Sequence, residues 1–193
     1  MGETRPAPLP GGEDQALRAL MVRYQQGEME AFEDLYRRTL PMIRGYLAAT
    51  TTDRAWAADL VQESYLQIHR SRRTYDPTYP VKPWMLAIAR HVKLRDRRKR
   101  WQRLSREVTG FEVLPELPVP AEVEGLADRD AVTRALTRLP ESWREALVLH
   151  HIYGLQYREV GRLVGVSEGG ARIRASRGMA SLRAALISTE SHD

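Results

Sequence analysis

The stretch VSEGGARIRASRGM, residues 166–179, brings side chains capable of recognition chemistry together at helical spacing. At about 100° per residue, Arg172, Ile173, Ser176 and Arg177 project to one side, with Gly169 and Gly170 at the leading end and Arg174 flanking them. Ala171, Ala175, Gly178 and Leu182 fall on the other side, a face small enough at first to pack tightly on neighbouring helices. A run of arginines is usually only a solvated face, and on that reading Ile173 is exposed for nothing. A DNA major groove gives the same residues a task. There an aliphatic side chain meets a thymine methyl while flanking arginines reach guanine edges or phosphates.

The residues just before this stretch have the spacing of a helix-turn-helix. Val160 and Val164 give a short first helix its apolar face, Gly161 sits where two helices cross closely, and Gly165 supplies a left-handed turn residue. Val166 packs beneath the turn, Ser167 caps the second helix, and Glu168 places negative charge at that helix's positive end. The two glycines weaken the helix start, and this cap offsets their cost.

A second basic region lies upstream in WMLAIARHVKLRDRRKRW. Trp84, Met85, Ile88 and Val92 supply a buried side, with Trp84 partly core, while Arg90, Lys93, Arg95, Arg97, Arg98, Lys99 and Arg100 crowd the rest. Only Asp96 opposes them, and such density repels itself unless phosphates or counterions neutralise it. The preceding loop, TYDPTYPVKP, offers Tyr75 and Tyr79 beside Trp84 and His91, an arrangement suited to stacking on unpaired bases, or else to tyrosines that only anchor the loop and core. In DLVQESYLQIHR, Val61, Tyr65 and Ile68 form an apolar stripe, and Asp59, Gln62, Glu63 and Leu66 share the other face. Spacing alone leaves that polar face equally a solvated surface or a docking surface.

The elements that carry these residues read as all-α. QALRALMVRYQQ and GEMEAFEDLYRRTLPMIRGYL repeat apolar residues at three- and four-residue intervals, and Pro41 is expected to kink or divide the second of these helices. A third helix enters through Thr52 and Asp53. The acidic, proline-rich EVTGFEVLPELPVPAEVEG reads as an extended linker. The expected organisation is a disordered tail over 1–13, a helical domain over 14–103, a flexible acidic linker over 104–126, a helix-turn-helix domain over 127–187 and a tail over 188–193. The 193 residues contain no cysteine, which rules out disulfides and thiolate metal sites, and a net charge of +5 favours an anionic partner. With no signal peptide and no apolar run of membrane-spanning length, the chain reads as soluble and cytoplasmic, with no membrane insertion.

Three stretches together resemble bacterial sigma factors of the extracytoplasmic-function (ECF) group, within group 4 of the sigma-70 family. AFEDLYRRTLPMIRGYL followed by AADLVQESYLQIHR is similar to the helices of sigma domain 2, and YDPTYPVKPWMLAIARH to the segment that reads the −10 element. LPESWREALVLHHIYGLQYREVGRLVGVSEGGARIRASRGMASLRAAL is similar to domain 4, which reads the −35 element. The resemblance implies an alternative sigma factor that binds core RNA polymerase and starts promoter melting, with no cofactor. Asp59, Gln62, Glu63 and Leu66 would dock on the β′ clamp helices. The loop from Arg73 to Lys82 would capture a base flipped out of the −10 duplex, with Tyr75, Tyr79, Lys82, Trp84, His91, Lys93, Arg95 and Arg98 as the −10 set. Arg144, Ser167, Gly169, Gly170, Arg172, Ile173, Arg174, Ser176 and Arg177 would form the −35 set, with Arg144 on a backbone phosphate and domain 4 also touching the β flap. The acidic linker would thread the polymerase channel, and an anti-sigma factor would clamp the two domains. The chain departs from the family pattern at His91 (commonly Asn), Arg95 (frequently Asp), Gly169–Ala171 (Gly-Thr-Val) and Ile173 (commonly polar).

Two other functions compete. A helix-turn-helix regulator that binds operator DNA explains the C-terminal motif but neither DLVQES nor the tether. A small helical enzyme would need a site, yet the adjacent His150 and His151 point about 100° apart and, with Glu145, lack a third convincing ligand. The histidines read instead as core-edge residues.

Overall fold

The computed structural model describes residues 10–51, 53–107 and 127–190, and among these every regular element is helical. The first bundle comprises α1 (Pro10–Gln25), α2 (Met29–Thr50), α3 (Arg54–Ser71) and α4 (Val81–Glu107), with a 3-10 turn at Arg72–Thr74. Its core is the apolar periodicity made physical: Leu17, Met21 and Tyr24 of α1, Leu35 and Ile43 of α2, and Met85 and Val92 of α4 are buried, as is the Val61/Tyr65/Ile68 stripe of α3. Each such side chain contributes about 1.5–3 kcal/mol on leaving water. Asp53 caps α3 by accepting the backbone N–H groups of Ala55 (2.8 Å) and Trp56 (3.1 Å).

Three boundaries differ from expectation. Pro41 does not divide α2, because buried residues on both sides of it (Leu35, Thr39, Ile43, Tyr46) hold the helix to the core across the missing hydrogen bond. Residues 10–13, expected in the tail, form the first turn of α1, while residues 1–9 lie outside the described residues. Helix α4 begins at Val81, with Pro83 in its first turn where a missing N–H costs nothing, and it runs to Glu107 into the expected linker. The rest of that linker, residues 108–126, lies outside the described residues.

The second bundle comprises α5 (Ala127–Thr137), α6 (Glu141–Leu147) continued by a π turn at Val148–Ile152, α7 (Tyr157–Val164) and α8 (Glu168–Glu190). Helix α8 therefore includes residues 188–190 of the expected tail. Glu159 reaches back to the Gln156 backbone N–H at 2.8 Å in a capping box, and Gly165 ends α7 with φ 74°. Ser167 Oγ then accepts the Gly170 N–H at 3.1 Å, starting α8. The crossing of α7 and α8 is tight: a Cβ on Gly161 would lie 2.7 Å from the Val166 carbonyl oxygen. A Cβ on Gly178 would lie 2.9 Å from the Trp143 carbonyl oxygen, so α8 also presses directly on α6.

The bundles meet through charge. Glu145 on α6 is buried, and its Oε1 accepts from Tyr46 Oη on α2 (2.6 Å) and Lys93 Nζ on α4 (3.1 Å). Arg90 Nε on α4 lies 3.2 Å from the same oxygen as an ion pair. Glu141 pairs with Lys93 at 3.5 Å and also with Arg97. Beside them Tyr153 packs edge-on to Tyr46, with its hydroxyl so near α2 that a Cβ on Gly45 would lie 2.6 Å away. Burial pushes the Tyr153 hydroxyl up to about 12. Burial alone would raise the Glu145 carboxyl, but Lys93, the Tyr46 hydrogen bond and Arg90 together hold it below its ordinary value.

Two measurements check this description. Gly161→Ala should cost about 1–3 kcal/mol in urea denaturation, because backbone blocks the added methyl. Gly169→Ala meets nothing within 4 Å and should gain up to about 1 kcal/mol from helix propensity. The lowered Glu145 carboxyl contributes stability that is fully present above the ordinary carboxylate range and is lost as the pH falls through the lowered value. With Tyr46, Arg90, Lys93 and Glu141 facing it unchanged, Glu145→Gln should flatten the acid limb of stability against pH. A limb of unchanged slope would contradict the assignment.

Candidate nucleic-acid interface

Helix α8 sorts its side chains as the spacing predicts. Ala171, Ala175, Gly178 and Leu182 are buried, and Arg172, Ile173, Ser176 and Arg177 are exposed. Ile173 is 54% exposed. Ser167 and Gly169 are exposed at the helix start, and Gly170 and Arg174 are half-buried. The flanking guanidiniums are supported from below: Arg172 sits over the Tyr157 ring at 5.2 Å and Arg177 over the Trp143 ring at 5.8 Å. Cation–π contact of this kind narrows the rotamers while leaving the N–H groups free for an acceptor. The Arg172–Glu168 pair, at 3.6 Å with both side chains more than half exposed, adds little. Sequence reasoning missed Tyr157 and Trp143, because their role depends on how α6 and α7 fold against α8. It also missed Arg158 and Arg162, exposed on α7 beside the same surface.

Arg144 departs from its expected role. It is 6% exposed, and its guanidinium donates to the Thr137 carbonyl at 3.3 Å, tying α6 to the end of α5. The helical turn that carries Arg144 is the one that inserts Glu145 against the first bundle, so this side chain faces protein where a phosphate contact would face solvent.

The upstream set divides between surface and interior. Tyr79 is 59% exposed at the loop tip, and His91 and Arg98 are exposed along α4. Trp84 is half-buried, as expected, with its ring edge-on to Tyr75 at 5.2 Å. Tyr75 and Lys93 are buried where exposed positions were expected. Tyr75 is a loop anchor: its hydroxyl donates to the Tyr79 carbonyl at 2.5 Å. Lys93, 1% exposed, belongs to the Glu145 cluster. The loop is otherwise built by Gln25, whose side-chain amide donates to the carbonyls of Arg72 and Tyr75, both at 2.8 Å. Asp76 accepts from the backbone N–H and hydroxyl of Thr78, contacts that lower its carboxyl below the ordinary value. Lys82 pairs with Glu13 at 2.6 Å.

The four-residue polar face of α3 adjoins this surface. Asp59 and Gln62 are exposed and Leu66 is 43% exposed, whereas Glu63 pairs with Arg95 of α4 at 2.6 Å. The expected docking face and the expected −10 face therefore share an ion pair. Asp96, the lone acid of the basic run, accepts from Trp56 Nε1 (2.8 Å) and Arg100 Nε (3.0 Å), fixing the start of α3 to α4. Trp101, 54% exposed among the arginines of α4, was missed by the sequence reading, which took it only as the end of a helix. His150 stacks on Tyr157 at 3.8 Å, with Nδ1 2.8 Å from the Leu155 carbonyl oxygen, which gives it a packing role. Among the described residues no three metal-ligating side chains gather, and no helix is long and apolar enough to cross a membrane.

Comparison with known proteins matches both bundles. Residues 35–103 fit the family model of sigma-70 region 2, and residues 129–182 fit that of sigma-70 region 4. The RNA polymerase sigma factor CarQ of Myxococcus xanthus is 37% identical over 166 residues, covering 84% of this chain and 93% of that protein. The ECF RNA polymerase sigma factor SigF of Caulobacter vibrioides is 33% identical over 179 residues, covering 86% and 91%. Among solved structures, the sigma factor RpoE of Bartonella quintana, in complex with the anti-sigma factor NepR, has a TM-score of 0.67. It is 24% identical, with 81% of this chain and 96% of that one covered. CnrH in complex with the cytosolic domain of CnrY gives a TM-score of 0.64 at 22% identity, covering 90% and 98%. These two share the fold.

Proposed function

This chain belongs to the sigma-70 family as an ECF alternative sigma factor directing transcription initiation, and from that premise we propose how its two surfaces divide the work. Helix α8 enters the major groove of the −35 element, with Arg172, Ile173, Ser176 and Arg177 facing base edges and Ser167, Gly169, Gly170 and Arg174 close to the backbone. The observation that carries this reading is an isoleucine 54% exposed between arginines on the face of α8 opposite its buried alanines. Tyr79, Lys82, Trp84, His91, Arg95 and Arg98 serve the −10 element, where Tyr79 at the tip of a braced loop offers a platform for a flipped base. Asp59, Gln62, Glu63 and Leu66 dock on core polymerase. An anti-sigma factor is the proposed regulatory partner, supported by the similar sigma factor RpoE solved with its anti-sigma factor NepR. The operator-binding regulator is not favoured, since the region 2 match spans residues 35–103.

Run-off transcription with purified core polymerase on a promoter library tests the whole assignment: the chain should select a −35/−10 pair, and failure to direct initiation on any template would refute it. Ile173→Ala should weaken discrimination at one −35 thymine by about 1 kcal/mol, below the contribution of a bidentate pair. Equal loss on every −35 sequence would instead assign Ile173 a packing role. Arg98→Ala should weaken binding across sequences and lower the salt slope by about one, whereas Tyr79→Ala should weaken capture of unpaired −10 DNA with little change in slope.

A further inference from the structure

Glu145 is an ionised carboxylate buried in a contact between domains, and the groups around it form a site. Tyr46 Oη, Lys93 Nζ and Arg90 Nε converge on one oxygen at 2.6, 3.1 and 3.2 Å. All three belong to domain 2, and the anion they hold belongs to domain 4. Arg90 Nε is buried with no hydrogen-bond partner, so the site has donor capacity that Glu145 leaves unused. A hydroxyl, an ammonium and a guanidinium around one oxygen are also a phosphate-binding set. Lys93 and Arg90 lie on α4, the helix that carries the exposed Arg97 and Arg98.

The closed arrangement also conflicts with reading two promoter elements at once. Elements centred at −35 and −10 lie about 25 base pairs apart, which at 3.4 Å each is roughly 85 Å. A compact chain of this size has a radius of gyration of about 16 Å and so spans only about 40 Å. The domains must therefore part before both elements are engaged, and parting removes Glu145 from its donors.

We propose that Tyr46, Arg90 and Lys93 form an anion socket on domain 2 that holds Glu145 in the closed chain and a promoter-DNA phosphate in the open chain. Glu145 is then an internal phosphate mimic, and the closed chain is inhibited by its own domain 4. The contact is suited to reversal. It rests on the oxygen shared at Glu145, on the half-exposed Glu141 pairs with Lys93 and Arg97, and on Tyr153 lying against Gly45, where a bare backbone admits the tyrosine hydroxyl. The proposal rests on the reading that domain 2 contacts −10 DNA.

The chain has no cysteine, so Glu33→Cys and Ala180→Cys, both exposed and neither assigned a contact with −10 DNA or polymerase, allow dye labelling of the two domains. Energy transfer between the dyes reports closure, and anisotropy of a labelled single-stranded −10 oligonucleotide reports DNA binding. Glu145→Gln and, independently, Gly45→Leu should lower transfer and tighten binding by about tenfold or more. Gly45→Leu leaves the socket intact and opens the contact by steric collision with Tyr153. Adding Lys93→Gln to Glu145→Gln should weaken binding again and lower the salt slope by about one. Unchanged transfer and affinity in both opening variants would overturn the proposal. Tighter binding on opening that is insensitive to Lys93→Gln would overturn the shared socket. If these losses occur in a chain that still directs run-off transcription, only the proposal fails. If no variant binds the oligonucleotide and run-off fails too, the functional reading falls with it.

Discussion

The arrangement of this molecule depends on one buried carboxylate. Moving an ion of that size from water into protein costs several kcal/mol even after relaxation, and only close donors offset it. Glu145 finds its donors on α2 and α4 of the other bundle, so those two helices must face α6. The neighbouring positions inherit the consequences. Lys93 is drawn out of the basic face of α4 into the interior. Arg144, one residue before Glu145, turns back to the Thr137 carbonyl and braces α5 against α6. An apolar contact would have fixed the bundles through area, whereas a charged one fixes them through a few short bonds that other anions and donors can also satisfy.

Close approach by glycine follows the same division between permanent and reversible contact. Gly161 and Gly178 admit backbone carbonyls from within their own bundle, so neither crossing can loosen without disturbing the helix-turn-helix itself. Gly45 admits only the tip of the Tyr153 side chain from the other bundle. The helix-turn-helix is thus held by backbone packed on backbone, whereas at Gly45 the contact between bundles is a side-chain tip packed on backbone. That division suits the proposed roles, an α8 presented accurately to DNA and two domains that part.

Much of this was legible in the sequence because helical periodicity is a local property. The buried and exposed sides of α8 follow residue by residue from 100° spacing, as does the Val61/Tyr65/Ile68 stripe. The helix-turn-helix was legible for a related reason, since each of its special residues answers a local backbone demand. What stayed hidden depends on side-chain partners that only the folded chain supplies. Lys93 looks like any other lysine of a basic helix until Glu145 arrives from fifty-two positions away. Tyr75 looks like a stacking residue until its hydroxyl meets the Tyr79 carbonyl within a fold of the loop. Trp143 and Tyr157 become supports for arginines only once three helices are assembled. Pro41 misled for the opposite reason: a local rule predicted a break, and packing on both sides outweighed it.

On the proposed reading, the surface of domain 2 lets one small bundle serve two partners. Glu63 lies on the face proposed for polymerase docking and Arg95 on the face proposed for −10 DNA, and they pair across the α3–α4 seam at 2.6 Å. Both side chains are more than a third exposed, so the pair is screened and contributes little to stability. A weak pair at a seam is a useful one. It neutralises both charges while the chain is free, and it yields each of them at small cost when a partner offers better contacts. Docking that engaged Glu63 would release Arg95 toward the nucleic acid, and capture of a phosphate by Arg95 would release Glu63 toward polymerase. The two bindings would then favour one another through a single shared ion pair, with no change of fold required.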